Sequence, residues 1–65
     1  MHEYRLIRKA ALVEIFADGR LIKTVSANFR NELRDVFIPC GLPQADIDSK
    51  MHELYITNQT SFACD

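Results

Sequence analysis

The hydrophobic and polar positions of this chain change period once along its length. Residues 13–25, VEIFADGRLIKTV, hold two runs rich in β-branched residues on either side of Asp18–Gly19. Asp-Gly adopts the positive φ angles of a two-residue type I′ turn, so the pattern predicts a β-hairpin. An unbroken ladder pairs Ala17 with Arg20, Phe16 with Leu21, Ile15 with Ile22 and Glu14 with Lys23. That register sets an opposite-charge pair directly across the strands, which favours it.

Upstream, EYRLIRKA alternates as a strand does, with no turn residue before the next strand. Residues 3–17 read as two strands or as one strand bent near Lys9–Ala11. A rival helical face through Leu6, Ala10, Val13 and Ala17 loses to the β-rich VEIF beside Asp-Gly. Downstream the period becomes helical. Phe29, Leu33, Val36 and Phe37 form one stripe, and Ile47, Met51, Leu54 and Tyr55 form a second. Ser26 or Asn28 is expected to cap the first helix. Between the helices, IPCGLP reverses the chain: Pro39 disfavours helix at Ile38, Gly41 supplies a positive φ, and Pro43 suits the next helix start. The tail 58–65 is polar apart from Phe62 and is expected to fray or to pack loosely. The prediction is a single small α+β domain: a small antiparallel β-hairpin or three-stranded sheet near 3–9, 11–17 and 20–26, then an αα-hairpin near 27–37 and 43–57 packed on one face.

Neither face of the predicted hairpin is polar. One carries Val13, Ile15, Ala17, Ile22 and Thr24; the other carries Leu12, Phe16, Leu21 and Val25 around the Glu14–Lys23 pair. A sheet with one wet face alternates apolar with polar, so both faces are expected to be covered. Two helices cover one, and a second copy of the chain is the natural cover for the other. Leu12, Phe16, Leu21 and Val25 are the candidate interface, rimmed by Arg5, Arg20 and Lys23. The pattern leaves open which face is the core.

Length sharpens this expectation. A domain of 65 residues usually needs a disulfide, a metal or oligomerisation to stay folded. Two cysteines allow one bridge, and a Cys40–Cys64 bond needs an oxidising medium. No signal-type or membrane-length apolar run is present, so the expected location is the cytoplasm, with no membrane partner. There the NQT triplet at 58–60 meets no glycosylation machinery. Oligomerisation is therefore the expected support.

Charge adds a polarity. Residues 1–34 carry a net +3 and residues 35–65 a net −4, within an overall −1. That overall balance argues against strong non-specific attraction to nucleic acid. Reading the αα unit as a DNA-binding helix-turn-helix would put Asp46, Asp48 and Glu53 into a groove against Lys50 alone. A basic β-ribbon using Arg5, Arg20 and Lys23 is the better nucleic-acid alternative.

Candidate chemistry is sparse. Cys40 is a candidate reactive thiol, but His52 lies well along the second helix and His2 at the chain start, so neither is placed as its base. The four thiol and imidazole groups show no metal-ligand spacing, and two isolated glycines make no phosphate loop. The sequence thus predicts a non-enzymatic protein-binding module without metal or cofactor. It would act as a homodimer, in the manner of small inhibitors or regulators of phages and mobile elements. A DNA-binding regulator or antitoxin-like protein is the alternative.

Overall fold

The computed structural model describes residues 2–64. The chain folds as an α+β unit: β1 (His2–Lys9), β2 (Leu12–Ala17), β3 (Arg20–Ser26), α1 (Arg30–Phe37), a 3-10 turn (Ile38–Cys40), α2 (Gln44–Thr57) and β4 (Gln59–Cys64). The strands form one antiparallel sheet in the order β3-β2-β1-β4, with the helices on one face.

Residues 3–17 are two strands joined at Ala10–Ala11. Ala10 adopts φ 54°, a left-handed conformation that costs an L-residue about 1–2 kcal/mol. No glycine marks this turn, which is why the sequence left its position open. The Asp-Gly turn forms as expected, with φ 52° at Asp18 and 83° at Gly19. It is tied to β1: Glu3 N–H donates to Asp18 Oδ1 at 2.9 Å, and the His2 ring Nδ1 lies 2.7 Å from Oδ2. The Glu3 backbone bond, with His2 beside it, lowers the Asp18 pKa below its ordinary carboxylate value.

The hairpin register departs from the expected ladder. Phe16 faces Leu21, but Ile15 faces Lys23 and Glu14 faces Thr24. Ile22 is the extra residue of a β-bulge, which shifts every later residue of β3 by one position. The expected Glu14–Lys23 pair is therefore replaced by a Lys9–Glu14 ion pair at 3.1 Å between β1 and β2.

The core lies between the sheet and the helices. Leu6, Val13, Ile15 and Val25 point inward from the sheet and meet Leu33 and Phe37 of α1 and Ile47, Met51 and Leu54 of α2. Helix α1 begins later than expected, because Ala27 is held by the sheet and by α2. Its N–H donates to Ala11 O at 2.8 Å, and its carbonyl accepts from the Tyr55 hydroxyl. Ser26 Oγ accepts from Asn28 N–H in the preceding turn, and no side chain caps α1. Phe29 consequently stands outside the helix and is exposed.

Within the described residues the tail is ordered as a strand rather than frayed; Asp65 lies outside them. Residues Gln59–Cys64 pair with β1, and Thr60, Phe62 and Cys64 alternate inward. Thr60 satisfies its buried hydroxyl by donating to Glu53 Oε1 at 2.6 Å. The Phe62 ring packs tilted against Phe37, with centroids 4.6 Å apart, and against Tyr4 at 5.4 Å. Asn58, at φ 67°, ends α2 in the left-handed conformation that turns the chain into β4.

Cys40 is no free thiol. It forms a disulfide with Cys64, their Cα atoms 4.8 Å apart. The turn that Pro39 and Gly41 create delivers Cys40 to the end of β4, and the bond locks that strand to the helical layer. A loop closed across a sequence separation of 24 stabilises the fold by about 3.5 kcal/mol in the chain-entropy account. For a domain of this size that rivals the whole net stability. We predict that the Cys40→Ala, Cys64→Ala double variant loses about 3 kcal/mol, read as a fall in the urea midpoint. Adding reductant to the wild-type protein should produce a comparable fall; unchanged midpoints would contradict the staple.

Candidate functional site

The helices leave the other face of the sheet uncovered, and strand alternation determines what it presents. Ile7 of β1, Leu12 and Phe16 of β2 and Leu21 of β3 all fall there. Leu12 is 50% exposed and Leu21 47%, while Ile7 and Phe16 are half-buried. Phe16 and Leu21 are direct cross-strand partners, and Ile7 lies diagonally from Phe16. Ile7 and Phe16 line a shallow hollow of about 280 Å³ with Glu3 and Arg5 at its rim.

The centre of this patch is not purely apolar. Glu14 sits between Leu12 and Phe16 along β2, half-buried and paired to Lys9. The face therefore holds Glu3 and Glu14 against Arg5 and Lys9, and its charges cancel. Such a surface offers little net field to a polyanion.

Three of the four residues expected at the interface, Leu12, Phe16 and Leu21, share this face. Val25 does not: the bulge at Ile22 turns it inward opposite Val13, where it is 3% exposed. The same shift carries Lys23 to the helix side, opposite Ile15. Arg20, opposite Ala17, lies on that side too, whereas Arg5 is on the open face. The expected basic rim is thus divided between two sides of the sheet and forms no continuous ribbon. Ile7 was missed as an interface residue. Its partner in the ladder, Glu14, could be placed only once β1 was known to be a separate strand.

Among the described residues, no group of three His, Cys, Asp or Glu side chains is arranged to hold a metal ion. No helix among them is long and apolar enough to cross a membrane. No protein-family model matches this sequence, and no curated protein or solved structure matches it.

The face assignment has a direct test in the stability of single variants at low protein concentration. Val25→Ala should cost about 2 kcal/mol by deleting buried methyl groups. Leu21→Ala, on the open face, should stay within about 0.5 kcal/mol of wild type. Equal losses, or the reverse order, would contradict the register shift at Ile22.

Proposed function

We propose that this protein is a non-catalytic binding module that pairs with a second copy through its helix-free sheet face. In this reading it acts as an inhibitor or regulator by protein contact. The observation that carries the proposal is the half-exposure of Leu12 and Leu21 on one face with Ile7 and Phe16. Apolar side chains grouped on an uncovered sheet favour burial against another apolar surface. Two such faces can stack at the ordinary sheet-to-sheet spacing. The balanced charges of Glu3, Arg5, Lys9 and Glu14 favour a like surface over a polyanion. The DNA-binding alternative would need Arg5, Arg20 and Lys23 to act together, and their division between two sides of the sheet weakens it. The cytoplasmic setting expected from the sequence would hold Cys40 and Cys64 as thiols, whereas the disulfide fits an oxidising one.

Sedimentation equilibrium of the oxidised protein at tens of micromolar tests the pairing. The expected result is a species of twice the 7.5 kDa chain mass, with Leu21→Glu shifting the population to monomer while leaving the fold intact. A clean monomer for the wild-type protein would overturn the proposal.

A further inference from the structure

On the helical side, away from the open face, α1 and α2 bound an open groove of about 390 Å³. Small-ligand sites occupy roughly 300–1,000 Å³, so the groove is of that order. Arg30 and Arg34 of α1 and His52 of α2 contribute to its walls, together with Tyr55 and Ile56. Asp48 is the single carboxylate there, and it is already engaged: Arg34 lies 3.0 Å from its Oδ1, and Gln44 Nε2 donates to the same oxygen at 3.1 Å.

Arg30 differs from Arg34. Its guanidinium lies 4.4 Å from the centroid of the Tyr55 ring, and among the described residues it has no ion-pair partner. Arg8 of β1 lies 5.2 Å from the same centroid and likewise has no carboxylate partner. One aromatic ring therefore steadies two unpaired guanidiniums in a chain of net charge −1. The ring is itself fixed, because the Tyr55 hydroxyl donates to the carbonyl of Ala27. A guanidinium stacked on a ring keeps its N–H donors free, and a planar fork of donors suits a phosphate better than a single point charge does. Ile56, 67% exposed at the groove wall, gives an apolar surface beside these cations.

From this arrangement we infer that the α1–α2 groove is a binding site for a phosphate monoester. Arg30 is its principal donor, Arg34 its second, and Tyr55 and Ile56 border the organic part. Arg8, 5.2 Å from the same ring centroid, adds positive potential. The site is independent of the open sheet face, so its failure would leave the pairing proposal standing.

Phenyl phosphate is the probe, followed by amide and arginine Nε–H NMR shifts of the oxidised protein. Sodium chloride at matched ionic strength and phenol alone are the controls. The expected result is a set of saturable shifts at Arg30, Arg34, His52 and Tyr55 that neither control reproduces. Arg30→Gln should weaken binding about tenfold or more, the loss expected for one charge-assisted contact. Arg30→Lys, which keeps the charge and loses the fork, should fall between the two. Lys50→Gln removes a positive charge outside the groove and should bind as wild type. Arg30 is exposed, and an unchanged amide spectrum elsewhere will show that its variants remain folded. Identical shifts with chloride or phenol, or wild-type affinity in Arg30→Gln, would overturn the site.

Discussion

The Cys40–Cys64 bond is the constraint on which the arrangement of the other elements depends. It joins the turn between the helices to the last residues of β4, so one covalent link closes the sheet layer onto the helical layer. Without it, β4, an edge strand, would be held by its ladder with β1, the Phe62–Phe37 ring contact and the Thr60–Glu53 hydrogen bond. With it, the unfolded chain loses loop entropy that a core of this size has difficulty offsetting. The bond also changes the argument for a partner. Marginal size alone called for oligomerisation, but the staple meets that need within one chain. The case for a second copy now rests on the uncovered sheet face rather than on stability.

Much of the architecture was legible because its determinants are local. Asp18–Gly19 specifies its turn through backbone conformations that few other residues adopt, and Gly41 does the same at φ 73° between the helices. The stripes through Leu33 and Phe37 and through Ile47, Met51 and Leu54 became the buried helix faces. What escaped depends on partners distant in sequence. Thr60, Phe62 and Cys64 alternate as a strand, yet a threonine and a cysteine read as polar or ambiguous until β1 is found beside them. The disulfide is set by the fold bringing the inter-helix turn to the end of β4, and no spacing rule indicates it.

The bulge at Ile22 shows how one residue can redirect a functional reading. An unbroken ladder puts Val25 with Leu12, Phe16 and Leu21; the extra residue sends Val25 into the core and Lys23 to the helix side. Half of the hairpin, from Phe16 to Leu21, keeps the expected register because the Asp-Gly turn fixes it. Beyond the bulge the parity reverses. The same irregularity interrupts the exposed edge of β3, and with Lys23 beside it this edge is a poor template for strand addition. Association through the open face, rather than by extending the sheet, is consistent with that protection.

We propose the helix-free sheet face as the working surface of the molecule. Isotope-filtered NOE spectroscopy on a mixture of labelled and unlabelled oxidised protein tests it most directly. The account predicts intermolecular contacts from the methyl groups of Ile7, Leu12 and Leu21 and from the Phe16 ring. Intermolecular contacts confined to Ile38 or Ile56 on the helical side, or none at a concentration where the protein is self-associated, would contradict it.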